Sequence, residues 1–258
     1  MNYLQLFIAE LKRRWALALA YPAEEIVSTI MMAGIFYMLF LGAGYMAGPT
    51  AQFGGRLENV IVGYMVWFLL MSTYAAIAHT LEGERTVHTL EQLMMSTYPL
   101  RGIMFVRTMA DITLAIVQAT VITVIITLLT HTHLHFTLLS VLPISMVLLS
   151  SIGLGFMVGA LSFALKKIGS LLMVLQFGLM FITIAPIEKW GPVGMWLGAL
   201  LPCSPSAAAL RSILVAQQVD WPMCIAGIVN AAVYLALGLA IFKSAENSAK
   251  RKGTIGSF

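Results

Sequence analysis

Residues 59–80 read NVIVGYMVWFLLMSTYAAIAHT, and residues 82–93 read EGERTVHTLEQL. The first stretch is apolar over about the 20 residues that a helix needs to cross roughly 30 Å of hydrocarbon. The second stretch is charged, has helical spacing and is followed by another apolar run. A charged helical element between two spans predicts a contact with something outside the membrane.

The whole chain has the composition of an integral membrane protein. It is 60% hydrophobic and 10% charged, whereas soluble domains average roughly 45–50% and about 25%. The long apolar runs lack period-two alternation, which favours helices over an outer-membrane barrel. We therefore expect an all-α membrane protein with six transmembrane helices. The predicted spans are residues 26–46, 59–80, 103–130, 138–165, 169–187 and 221–242.

The basic residues predict the orientation of these spans, because Lys and Arg near span ends are retained on the cytoplasmic side. If the N-terminus is inside, all of the 15 Lys and Arg residues are cytosolic except Arg56, Lys189 and Arg211. Both termini then lie in the cytosol, and residues 243–258 form a basic cytosolic tail. The net charge of +4 is explained by this topology and by contact with anionic lipid, so it indicates no nucleic-acid partner.

Residues 1–25 precede the first span and carry a helical pattern of their own. Their apolar residues recur at helical spacing, which predicts an amphipathic helix lying in the cytosolic interface. We expect Tyr21-Pro22 to end this helix, because the residue before a proline disfavours the helical region. A signal peptide is the alternative, but the apolar run after the basic residues is at the low limit for one. The expected apolar face holds Leu4, Phe7, Ile8, Leu11 and Trp15, and the remainder of the wheel holds Gln5, Glu10, Lys12 and Arg13.

The charged stretch extends over residues 82–98 and predicts a helix of about three turns. Val87, Leu90 and Met94 would share one face of it, and Pro99 would end it. A solvated cytosolic loop that happens to be helical is the alternative from these residues alone.

The motif in this stretch resembles that of a known family. Glu84-Arg85, followed by Thr89-Leu90-Glu91-Gln92-Leu93 and a later proline, is similar to the Arg-Glu, Gly-Thr-Leu-Glu, Leu, Pro pattern after the second span of ABC-2 type permeases. The order of elements along the chain also resembles that family. His88 departs from the pattern, since the family usually has glycine there.

The resemblance implies that residues 82–98 are a coupling helix that docks on a separate ABC ATP-binding subunit. The residues expected to make that contact are Glu84, Arg85, His88, Leu90, Glu91 and Leu93. It further implies the permease subunit of an exporter in a bacterial inner membrane, with two copies forming the pathway and with ATP and Mg²⁺ bound by the partner. The limited polarity of the spans favours a hydrophobic or amphipathic solute. A polysaccharide or glycolipid exporter and a gradient-driven carrier are the alternatives.

Residues 186–222 hold five of the nine prolines, which forbids one long helix. We expect an external re-entrant segment over 186–220, with short helices over 193–201 and 206–217, the second capped by Ser204 or Ser206. Pro205 and Arg211 resemble the family's Asn-Pro with a downstream Arg, in a region that lids the exit of the pathway. An interfacial anchor rich in tryptophan is the alternative.

Polar residues within spans are costly and mark helix contacts or a pathway. Spans two and five line the central cavity in ABC-2 permeases, so their polar residues are pathway candidates, although hydroxyls bonded to their own helix are common. We expect Arg107 and Asp111 to pair, since they lie four residues apart at the start of span three. The pathway candidates are Ser72, Thr73, Tyr74, His79, Gln176 and Thr183.

Other chemistry has little support in the sequence. No Gly-x-x-x-x-Gly-Lys-[Ser/Thr] motif is present, so ATP hydrolysis by that route is excluded for this chain. His131, His133 and His135 alternate in a short loop but have no fourth ligand nearby, and we predict no metal there. We therefore expect a non-enzymatic transport subunit with no cofactor of its own.

Overall fold

A computed structural model describes residues 3–47, 54–87, 89–132, 134–163, 165, 168–185, 187 and 191–252. Within these ranges the chain forms helices and no strands, because its apolar runs satisfy their backbone groups internally. The helices are α1 Tyr3–Ala20, α2 Pro22–Ala47, α3 Gly54–Thr86, α4 Leu90–Met94, α5 Leu100–Thr130, α6 Val141–Ser162, α7 Gly169–Ile184, α8 Pro192–Leu200, α9 Ser204–Leu214 and α10 Trp221–Lys252. A 3₁₀ turn at Leu138–Ser140 precedes α6.

The prediction of a helical membrane protein is confirmed. Five helices, α2, α3, α5, α6 and α10, are long and apolar enough to cross a membrane. The pair α8 and α9, bent by 108°, adds a sixth if it counts as one span. Helix α7 has 16 residues, or about 24 Å at 1.5 Å per residue, so it is shorter than the predicted span 169–187.

Helix α3 is the centre of the bundle, and 67% of its most apolar window is buried. It packs against α5, α6, α7 and α9. Helix α6 lies between α3 and α10, and glycines permit the close approach on both sides. A Cβ added at Gly155 would lie 3.1 Å from the carbonyl oxygen of Tyr74 in α3, and one at Gly238 would lie 2.1 Å from that of Gly153.

Helix α1 ends at Ala20 and α2 begins at Pro22, so the predicted break at Tyr21-Pro22 is confirmed. Leu4 and Ile8 of the expected apolar face are exposed on the surface of the chain. Helix α1 packs against α5 through a side that includes Glu10, which is buried although the sequence placed it off the apolar face. The cause is a basic partner for Glu10 on α5.

Candidate functional site

The end of the bundle next to α1 is formed by a continuation of α3 and by α4. Helix α3 runs on to Thr86, and α4 is a separate helix of five residues. The expected single helix over 82–98 is therefore wrong. Two backbone bonds close the turn between the helices, from the Val87 amide to Gly83 at 3.1 Å and from the Thr89 amide to Glu84 at 2.9 Å. His88 lies outside the described residues.

One side of α4 is anchored in the bundle. Leu90 is 4% exposed and belongs to a cluster with Leu81, Leu100 and Met104. Leu93 is half-buried against the same cluster. Because α4 starts a new helix, the helical register is not carried across from α3. Pro99 is the N-cap of α5 with extended dihedrals (φ −61°, ψ 137°), so it begins the next span and does not end α4.

The other side of this region faces outward. Val87 is 69% exposed and Met95 is 80% exposed, and Glu91 and Gln92 between them are exposed too. The sequence placed Val87 on the same face as Leu90 and Met94, which the structure contradicts for the reason just given. The result is a surface of two apolar side chains around one carboxylate.

Glu84 and Arg85, adjacent at the end of α3, bind different parts of the bundle. The Thr89 hydroxyl donates to Glu84 Oε2, and Arg107 Nη1 donates to Glu84 Oε1 at 2.5 Å. Arg85 donates to the main-chain oxygens of Ser162, and of Leu165 at 3.1 Å. A cation at the last carbonyls of α6 complements the negative end of that helix dipole. Both predicted contact residues thus have structural bonds within the chain.

Arg107 of α5 also reaches α1. Its Nε donates to Glu10 Oε1 at 3.0 Å, while Arg13 Nε donates to Glu10 Oε2 at 2.6 Å. Burial alone would raise the pKa of Glu10, but the hydrogen bonds and charges of Arg13 and Arg107 outweigh it and hold that pKa below its usual value. The side chains of Arg13, Glu10, Arg107, Glu84 and Thr89 are therefore joined in this order by hydrogen bonds. We call this hydrogen-bonded series the Arg107 chain.

Asp111 pairs with Arg14 and not with Arg107, so the predicted i,i+4 pair is wrong. Arg14 Nε lies 3.3 Å from Asp111 Oδ1, and Arg14 Nη1 lies 3.0 Å from Glu25 Oε1. Gln118 Nε2 donates to the second oxygen of Glu25 at 2.6 Å. We call these residues the Arg14 group, which joins α1, α2 and α5. Asp111 thus pairs with an arginine that is distant in sequence and not with its helical neighbour Arg107.

Three of the pathway candidates are bonded to their own helix. The hydroxyls of Ser72, Thr73 and Thr183 donate to the carbonyl four residues earlier, at 2.5, 2.7 and 2.9 Å. His79 is exposed. The three hydroxyls therefore follow the alternative given in the sequence analysis, in which a hydroxyl within a span bonds to its own helix.

Tyr74 and Gln176 instead join α3 to α7. The Tyr74 hydroxyl donates to Leu172 at 3.1 Å, and the Gln176 amide nitrogen lies 2.9 Å from the sulfur of Met71. Trp67 Nε1 donates to the Gln176 carbonyl at 3.0 Å. Only these two of the six candidates are thus shown to bond across α3 and α7.

A cavity of about 900 Å³ lies elsewhere, between α3, α5 and the start of α6. Sequence reasoning missed it, because its lining comes from residues far apart in the chain. His131 and His135 line it, but no group of three metal-ligating side chains occurs among the described residues, which exclude His133. Its remaining lining includes Met65, Leu69, Ile116, Thr120, Thr123, Val124, Thr127, Leu128, Phe136 and Ile144.

Helix α9 is buried at the far end of the bundle. Arg211 is buried and donates to the main-chain oxygens of Thr183, and of Ile184 at 3.4 Å, at the end of α7. The expected serine cap is wrong, since Cys203 is the N-cap, Ser204 already lies in α9 and no side chain caps it. Pro205 lies in its first turn, where the missing N–H costs nothing.

The family model for ABC-2 type transporters matches residues 1–217, which include α1 to α9. No curated protein matches the chain. A family match over most of the chain agrees with the helical membrane architecture and with the charged element between α3 and α5. The chain therefore belongs to the ABC-2 type transporter family and is a multi-pass membrane permease component of an ABC transporter.

Proposed function

We propose that this chain is the permease subunit of an ATP-driven exporter, and that a separate ATP-binding subunit docks on residues 82–98, the coupling segment. The observation that carries the proposal is that one side of this segment is buried in the bundle and the other side is exposed. Leu90 anchors it in the bundle, while Val87, Glu91 and Met95 face outward. A subunit bound to that outward side would push on an element that the bundle holds firmly.

The internal bonds of the segment support this role. Glu84 is bound to Thr89 and Arg107, and Arg85 is bound to the end of α6. A displacement of the coupling segment is thus delivered to α5 and α6 as well as to α3. Glu84 and Arg85 then act inside the permease, and Glu91 is the charged residue of the docking surface.

We further propose that two copies of the chain form the translocation pathway. Only 11% of the apolar window of α2 is buried within one copy, which leaves a long apolar face for a second copy and for lipid. Arg211 and Pro205 would form the external gate, because α9 is bonded to the end of α7. Both termini would be cytosolic, in the inner membrane of a bacterium.

The proposed cargo is a hydrophobic or amphipathic solute. The described cavity is lined by apolar side chains together with five threonines, one serine and two histidines. The hydroxyls of Thr120, Thr123 and Thr127 donate to their own helix, which leaves them less free to bind a polysaccharide. Tyr74 and Gln176 at the α3–α7 contact stay the pathway candidates with bonds beyond their own helix.

Co-purification with the ATP-binding subunit tests the proposal. We expect Glu91→Arg and Met95→Asp to abolish the complex and its membrane ATPase activity, because both side chains face outward and neither supports the fold. Lys243→Glu is the control, since it makes a charge change of equal size and opposite sign to that of Glu91→Arg at an exposed position of α10. If the coupling-segment variants bind and hydrolyse as the native chain does, the docking proposal is wrong and the ATP-binding subunit contacts another surface.

A further inference from the structure

We propose that Arg107 is a positioning residue that fastens α1 to the coupling segment, so that both move as one body when the ATP-binding subunit acts. This inference rests on the proposed function for its consequence in transport. The link itself is a property of the isolated chain. Its basis is the Arg107 chain, which runs from Arg13 through Glu10, Arg107 and Glu84 to Thr89.

The guanidinium of Arg107 uses two different nitrogens for two different helices. Nε binds Glu10 of α1 at 3.0 Å, and Nη1 binds Glu84 of α3 at 2.5 Å. The Arg107 side chain is only 16% exposed, and both carboxylates are comparably shielded. Screening by salt is therefore weaker here than at the surface. A lysine in this place would keep the charge but lose the rigid fork that fits two acceptors.

The carboxylates on either side of Arg107 are each bound through both oxygens. Arg13 donates to the second oxygen of Glu10, and the Thr89 hydroxyl donates to the second oxygen of Glu84. Thr89 immediately precedes α4, so the position of α4 is passed to Arg107 through one side chain. Loss of Arg107 would break the Arg107 chain between Glu10 of α1 and Glu84 of the coupling segment. It would also leave these two shielded carboxylates without the arginine between them.

The direct packing of α1 does not replace this link. Helix α1 contacts α5 and, weakly, α2. Tyr3 stacks edge-on against Tyr98 at 5.0 Å between ring centres, and Leu6 packs against the cluster that contains Leu90; both apolar contacts lie in the first two turns of α1. The Arg107 chain is a polar connection between the middle of α1 and the coupling segment.

The Arg14 group provides the matched control. It also ties α1 to α5 through a partly shielded arginine between two carboxylates, Glu25 and Asp111. It contains no residue of the coupling segment. Loss of Arg14 should loosen α1 from α2 while leaving the distance between α1 and α4 defined.

Spin labels on the full chain test the link directly. Labels at Ala9 of α1 and Gln92 of α4, both exposed, are placed in a background with Cys203 and Cys224 replaced by alanine. Pulsed electron paramagnetic resonance then gives the distribution of distances between them. We expect one narrow distribution natively and in Arg14→Gln, and loss of the narrow component in Arg107→Gln.

Two further variants keep the outcome interpretable. Glu84→Gln should broaden the distribution as Arg107→Gln does, and Arg107→Lys should restore it only in part. Circular dichroism and monodispersity in detergent establish that each variant is folded. A narrow distribution in folded Arg107→Gln overturns the proposal, and so does equal broadening in Arg14→Gln.

A second arm adds the ATP-binding subunit and compares the complex without nucleotide and with Mg-ATP and vanadate. The distance from Ala9 to an exposed α10 label at Lys243 should shift natively and stay unchanged in Arg107→Gln. A shift that persists in Arg107→Gln overturns the proposed joint movement. Failure of the native chain to bind the subunit contradicts the proposed function instead, while the first arm still decides the link.

Discussion

The contact between α6 and α10 gives a stability prediction that follows directly from the coordinates. At Gly238 an added Cβ would lie 2.1 Å from the carbonyl oxygen of Gly153, more than 1 Å inside ordinary van der Waals contact. The neighbouring atoms are backbone, so no side chain can move aside. The two helices must separate instead, and overpacking of this kind costs about 1–3 kcal/mol.

We therefore expect Gly238→Ala to lower the free energy of unfolding by about 1–3 kcal/mol. Gly178→Ala in α7 is the control, because its added Cβ meets nothing within 4 Å. It should be neutral or stabilising by up to about 1 kcal/mol, since alanine is the better helix former. Equilibrium unfolding of the detergent-solubilised protein measures both. Gly238→Ala as stable as the native chain would refute the close α6–α10 approach.

Three further predictions concern the coupling segment, the topology and acid stability. Leu90→Ala should lower the free energy of unfolding by about 2–5 kcal/mol, because it opens a cavity in a buried cluster. Val87→Ala should change that free energy by no more than about 0.5 kcal/mol, because Val87 is exposed. The same unfolding assay compares the two variants. In intact cells a membrane-impermeant maleimide should label Gln218→Cys, and should label Thr97→Cys only after permeabilisation; the reverse pattern would invert the proposed orientation. Because the folded pKa of Glu10 is lowered from 4.5, its ion pairs should stabilise fully above about pH 4.5 and be lost as pH falls through the lower folded value. Glu10→Gln should remove that part of an unfolding profile measured against pH, and an unchanged profile would mean that these ion pairs contribute nothing.

The features that depend on local sequence were predictable. The length of an apolar run is set by the bilayer, so five of the six predicted spans and the charged element between two of them could be located without coordinates. The predicted span 169–187 is the exception, because α7 has only 16 residues. The break at Tyr21-Pro22 follows from the geometry of proline. The family motif depends on residues 84–93, which lie close together in sequence.

The features that depend on distant partners were not predictable. Helical spacing places Glu10 off the apolar face of α1, and nothing local indicates its burial, since its partner Arg107 lies 97 residues away. For the same reason Arg107 was paired with its helical neighbour Asp111. The chain has 21 glycines, and nothing in their spacing shows that Gly153 and Gly238 face each other. These features depend on contacts between helices, and the periodicity of residues along a single helix does not predict such contacts.

The most direct test of the central claim is photo-crosslinking in cells from the outward side of the coupling segment. A photoreactive amino acid at Met95, 80% exposed, should capture the ATP-binding subunit. The same amino acid at Leu138, 87% exposed at the other end of α5, should not. Capture from position 138 and none from position 95 would contradict the account, because the ATP-binding subunit would then contact the opposite end of the bundle.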